Sequence, residues 1–107
     1  MSAGAQPKRE PHACSLSPSE LSQRGAEVRA LAGSALVDRE RRDGGVVLTF
    51  RGERAVHAAV EDLARREREC CPFLDIDVAE SGGRVTLTIA AAPEDAAALD
   101  AFYELAR

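Results

Sequence analysis

This chain lacks any apolar run of the length needed to cross a bilayer, and it lacks tryptophan altogether. Its first ten residues carry Lys8 and Arg9 with no apolar segment behind them, so no secretory leader is expected there. Basic excess is also missing. The formal net charge is −4, which argues against nucleic acid as a partner, because phosphate binding relies on clustered Lys and Arg. Cysteine is scarce and odd in number, at three, which does not suit a paired disulfide framework. Gly-rich phosphate loops, a nucleophile elbow and an HExxH run are absent. These absences exclude the commonest catalytic and nucleic-acid classes. They point to a small cytoplasmic domain with no membrane partner, in which thiols stay reduced as free groups or metal ligands.

What is present is ordinary for a globular chain of 107 residues: 45% hydrophobic and 30% charged. Residues 1–13 are small, polar and Pro-containing, and read as a disordered tail; residues 14–107 read as one domain. The basic spots at Arg39, Arg41, Arg42 and Arg65, Arg66, Arg68 alternate with acids and read as solvated faces.

Ser17-Pro18-Ser19-Glu20 carries the signals of a helix start, with Ser17 as N-cap, Pro18 first in the helix and Glu20 closing a capping box. Leu16 and Leu21 fit a hydrophobic staple across that cap. Leu21, Val28, Leu31 and Ala32 then share one face, and Gly33 is expected to end the helix.

Two similar units follow. Leu36 and Val37 open a strand, Asp43-Gly44-Gly45 turns, and Val46, Leu48 and Phe50 alternate back; a helix then runs from about Glu53 to Glu69. In the second unit Leu74, Ile76 and Val78 alternate, Ser81-Gly82-Gly83 turns, and Val85, Leu87 and Ile89 return. Pro93-Glu94-Asp95 opens a last helix. The units superpose at an offset of 39, which also places Val60 on Leu99 and Leu63 on Phe102. The expected fold is α+β: one N-terminal helix, then two β-β-α repeats whose antiparallel strands are covered on one face by helices. One continuous sheet and two separate hairpins fit the pattern equally.

The chemistry concentrates at Cys70-Cys71-Pro72-Phe73. A trans peptide holds adjacent thiols apart, so they bridge each other poorly, yet they present two soft sulfurs at one point. Cys70 lies seven residues beyond Leu63 and falls on the buried side of its helix, while Pro72 breaks the helix between the two thiols. The pair is therefore expected at the accessible edge of the core. A nucleophilic cysteine sits more naturally at a helix N-terminus, and Glu67 and Glu69 add negative charge here, so a metal that displaces the thiol proton itself fits better than covalent catalysis. No catalytic or organic cofactor-binding residue is assigned. Candidate metal ligands are Cys70 and Cys71, with Cys14 as a third and His12 as a fourth. The ion is thiophilic: Hg(II), Cu(I) or As(III), with Zn(II) a poorer match because its ligands usually stand two to four residues apart. Asp75 and Asp77 alternate with apolar residues and face solvent, with Phe73 on their side; Asp75 is the acid that a proton-delivering enzyme would use. His57 reads as a surface residue.

The run Arg66-Glu67-Arg68-Glu69-Cys70-Cys71-Pro72-Phe73-Leu74-Asp75-Ile76, with Cys14-Ser15-Leu16 ahead of it, resembles a group of small bacterial proteins. In these a Cys-Thr/Ser-Leu start and a Glu-Cys-Cys-Pro-Phe run recur, in stand-alone chains or in extensions of mercury-resistance-type regulators. The resemblance implies three associated thiols, here Cys14, Cys70 and Cys71, and a heavy-metal setting. The partner expected is a metal ion, with a second copy of the chain or a regulator left open as protein partners. The sequence has no DNA-reading helix-turn-helix of its own. The leading expectation is a soft-metal binding or transfer protein. The rivals are a thiol-dependent enzyme, for organomercurial cleavage or thiol–disulfide exchange, and a metal-independent interaction module whose cysteines only pack.

Overall fold

The computed structural model describes residues 18–106. Helix α1 (Pro18–Ala35) leads directly into strand β1 (Leu36–Arg42), which pairs with β2 (Gly45–Arg51). Helix α2 (Arg54–Cys70) follows, then strands β3 (Asp75–Ser81) and β4 (Arg84–Ala90), a 3-10 turn over Pro93–Asp95 and helix α3 (Ala96–Leu105). This is the expected order, α then β-β-α twice.

The two hairpins join in one antiparallel sheet of order β1-β2-β4-β3. The repeat explains the joint. Val46 stands opposite Ile89, Leu48 opposite Leu87 and Phe50 opposite Val85, so the matching apolar triplets of the two units meet head to tail at the sheet's centre. All six are buried. The outer strands β1 and β3 carry Asp38, Glu40 and Arg42, and Asp75, Asp77 and Glu80, charges that protect sheet edges against further pairing.

One face of the sheet takes the helices, with a crossing that the repeat does not announce. Helix α2 packs on β3 and β4, the hairpin of the following unit, while α3 packs back on β1 and β2. Each unit's helix thus covers the other unit's strands. Val60, Leu63 and Ala64 of α2 and Leu99 of α3 are buried, and Val28, Ala32 and Ala35 of α1 join the same core.

The turns use their glycines as expected. Gly44 has φ 77°, and Gly82 and Gly83 have φ 60° and 77°, left-handed values that the tight hairpin turns demand. Gly52 lies so close to the second turn that a Cβ there would meet the Gly83 carbonyl oxygen at 2.5 Å, and its N–H donates to that oxygen at 2.9 Å.

Two local expectations are corrected. Gly33 does not end α1: it is an exposed residue inside the helix, which continues until Ala35 reaches the core and the chain turns into β1. A glycine costs a helix about 1 kcal/mol, which the burial of the next turn outweighs. Phe73 does not share the solvent side of Asp75 and Asp77. It precedes β3, in the turn, and packs against the core. The proposed tail, Ser17 as N-cap and Leu16 of the staple lie outside the described residues, as does the side chain of Leu21. Among the described residues no helix is long and apolar enough to cross a membrane.

Candidate metal centre at the end of helix α2

The sulfurs are placed by the end of α2. Cys70 is its last residue and Cys71 its cap, at φ −128° and ψ 71°, so the helix breaks between the two thiols as Pro72 requires. The Cys71 N–H still donates to the Glu67 carbonyl at 2.7 Å, and the Leu74 N–H donates to the Cys71 carbonyl at 3.0 Å. Arg68 donates through Nε and Nη2 to the Ile76 carbonyl at 3.2 and 3.0 Å, tying the helix end to the outer strand β3. Helix end, turn and strand start are therefore mutually fixed.

The site is deeper than its position suggested. Cys71 is 0% and Cys70 7% exposed, and both belong to the core cluster with Leu74. The turn folds back under α2 because Phe73 and Leu74 are both drawn to the core, and Cys71 goes in with them. Packing alone accounts for this much, which is what the metal-independent reading expects.

Packing does not account for the polar company. The Sγ atoms of Cys70 and Cys71 are 3.5 Å apart, and Glu67 Oε1 lies 3.9 Å from Cys71 Sγ. One ligand atom from each of Glu67, Cys70 and Cys71 falls within 4.8 Å of the others. Glu67 is 4% exposed, and its Oε2 is ion-paired with the Arg24 guanidinium reaching across from α1. Arg24 also approaches Glu27, with Nε 3.6 Å from Oε1, and Glu27 is held in turn by Arg66 at 2.8 Å. The carboxylate is thus anchored on one oxygen and offers the other to the sulfurs.

The two sulfurs differ in state. Cys70 is a free thiol, whereas Cys71 is disulfide-bonded. The expectation of uniformly reduced cysteines therefore does not hold for Cys71. Cys14 and His12, the remaining ligands expected from the sequence, lie outside the described residues.

Glu67 is the residue that sequence reasoning missed: in the sequence it is one more charge near the helix end. Its signal was present: Val60, Leu63, Glu67 and Cys70 follow one helical stripe, so an acid sits in a row of buried positions. Arg24 had no such signal, since its partner is remote in sequence. Asp75, the acid considered for proton delivery, is exposed at the start of β3 and is not in the group that converges with the sulfurs. His57 is a partly exposed side chain between Glu61 and Glu80, at 3.3 and 3.5 Å. Arg65 and Arg66 are engaged with Asp62 on the outer face of α2, as a solvated face would be. Arg39 departs from that pattern: it lies over the Tyr103 ring at 3.9 Å and donates to the Tyr103 carbonyl, so it helps hold α3 on β1.

Comparison with protein-family models, with curated proteins and with solved structures finds no match for this chain.

Proposed function

We propose that the protein binds or hands over a soft metal ion through cysteine sulfur, in the handling of mercury or a related heavy metal. The observation that carries this reading is the meeting of two adjacent sulfurs and a buried, arginine-anchored carboxylate within 4.8 Å. Core cysteines kept for packing have no need of an acid beside them, and burying that acid is costly unless it is paired and used. The binding form is the reduced chain, in which Cys71 is a thiol. Soft ions displace thiol protons on binding, so uptake releases protons and weakens as pH falls. The resemblance carried by the three cysteines supports the same setting, with Cys14 as a third ligand.

The test is titration of the reduced, desalted chain with Hg(II), Cu(I), As(III) and Zn(II), followed by native mass spectrometry. One ion per chain is expected, retained at weaker affinity in Cys14→Ser and lost in Cys70→Ser/Cys71→Ser. A reduced chain that takes up none of the four ions ends the proposal.

A second reading, thiol–disulfide exchange, is favoured by one observation: a free thiol at Cys70 stands 3.5 Å from the disulfide sulfur of Cys71. It predicts that the chain catalyses disulfide exchange in a small-molecule dithiol assay and that Cys70→Ser abolishes this. Equal rates for Cys70→Ser and the unaltered chain would remove it.

A further inference from the structure

The sulfur pair changes character once Glu67 is counted with it. Glu67, Cys70 and Cys71 stand three and four residues apart, a spacing that puts all three on one face of a helix. The Cys71 N–H still donates to the Glu67 carbonyl at 2.7 Å, so the helical register reaches the second thiol before Pro72 ends it. Donors two to four residues apart are the usual zinc spacing, which the adjacent cysteines alone do not meet. The group also lies at the C-terminal end of α2, where the helix dipole favours a cation.

The distances suit a tetrahedral ion better than a linear one. At metal–sulfur and metal–oxygen bonds of about 2.3 and 2.1 Å, a tetrahedron sets two sulfurs about 3.8 Å apart and a sulfur about 3.6 Å from the oxygen. Cys70 Sγ and Cys71 Sγ are 3.5 Å apart, and Cys71 Sγ is 3.9 Å from Glu67 Oε1, each within a few tenths of an ångström of that geometry. A linear sulfur–metal–sulfur unit needs about 4.6 Å at the same bond length. Charge narrows the choice further. Two thiolates and the Glu67 carboxylate carry three negative charges, and Arg24 returns one positive charge. Glu27, which Arg24 also approaches, is balanced by Arg66. A divalent ion therefore brings this buried group to neutrality. A monovalent or trivalent ion leaves a net charge where burial makes it costly.

Resting on the metal-binding reading, we propose that the ligand is a divalent ion of the zinc class, and that Glu67 joins Cys70 and Cys71 as its oxygen donor in the reduced chain. Arg24 holds Glu67 Oε2, which leaves Oε1 on the side of the sulfurs for the ion. On binding, both thiol protons leave to solvent. Two metal–sulfur bonds and one metal–oxygen bond replace waters of the ion, and no electron moves.

The experiment uses the full chain, reduced and desalted, with Zn(II) as the probe. X-ray absorption of the loaded chain is expected to show sulfur and oxygen together around the zinc. Arg24→Met/Glu67→Met removes one charge of each sign, so net charge is kept and only the oxygen donor is lost. Zinc affinity, read by competition with a chromophoric chelator, should fall at least about tenfold in this variant, since loss of a ligand's supporting partner alone costs that much. Circular dichroism checks that the variant is folded, and it should still take up Hg(II), for which two sulfurs suffice. A zinc shell of sulfur alone in the unaltered chain overturns the proposal and needs no variant. Unchanged zinc affinity in the double variant, or uptake of Hg(II) or Cu(I) without Zn(II), overturns it too, and each of these leaves the metal-binding reading intact. Failure to bind any of these ions overturns both.

Discussion

At the residue scale, Glu67 and Arg24 decide the character of the sulfur site. Glu67 sits in the apolar stripe of α2, and Arg24 crosses from α1 to meet it. Breaking a buried ion pair by removing one partner leaves the other charge uncompensated, whereas removing both together is often nearly neutral. Arg24→Met is therefore expected to destabilise the fold by about 3 kcal/mol, and Arg24→Met/Glu67→Met by much less. Urea unfolding of the single and double variants checks this. A double variant as unstable as the single one would show that the pair contributes through packing rather than charge.

The element scale is set by α2, which has a different task on each face. Inward it carries Val60, Leu63, Glu67 and Cys70. Outward it carries a ladder in which Asp62 accepts from Arg65 at 2.7 Å and from Arg66 at 2.9 Å, and Arg65 reaches Glu69 at 3.2 Å. The hydrogen bond from Arg65 holds the Asp62 carboxyl below the usual carboxylate range, with further help from the charges of Arg66 and Arg65. A lowered native value stabilises the fold above the ordinary aspartate range of about 4, and that contribution disappears as pH falls through the native value. Asp62→Asn is accordingly expected to lower the urea midpoint slightly at neutral pH and not at all near pH 2, with the neutral-pH difference shrinking in high salt. A midpoint difference that persists in acid would contradict the assignment.

At the scale of the whole molecule, the exchange of helices between the two units makes the fold indivisible. Helix α2 lies on β3 and β4, and α3 on β1 and β2, so neither β-β-α unit covers its own strands. A fragment spanning residues 36–71 keeps the first hairpin and α2 but loses the surface that α2 covers. It is expected to show no cooperative thermal unfolding by circular dichroism, while residues 14–107 unfold in one transition. A folded fragment would mean that the helix can return to its own hairpin. The exchange also matters for the site, because α2, which ends at Cys70, packs on β3 and is tied to it by Arg68 donating to the Ile76 carbonyl.

Much of the architecture was legible in local pattern. Period-two alternation at Val46, Leu48 and Phe50 and again at Val85, Leu87 and Ile89 marked both inner strands. The Asp43-Gly44-Gly45 and Ser81-Gly82-Gly83 signals marked both hairpins, and Pro72 located the break between the thiols. Gly33 misled because intrinsic propensity is a weak signal beside the burial of Ala35, which only the packed core reveals. The exposure of Cys71 was misjudged for a related reason: chain position says that a residue lies in a turn, not that the turn folds under a helix.

By itself the sequence determined the order of elements, their amphipathic faces and the presence of two adjacent sulfurs at a helix end, because each depends on neighbours within a turn or two of backbone. Only the tertiary structure decided that the hairpins form one sheet, that the helices trade partners, and that Arg24 anchors Glu67 beside the sulfurs. Those features depend on which remote surfaces meet. Periodicity shows that a face is apolar, but it carries no information about which other face will cover it.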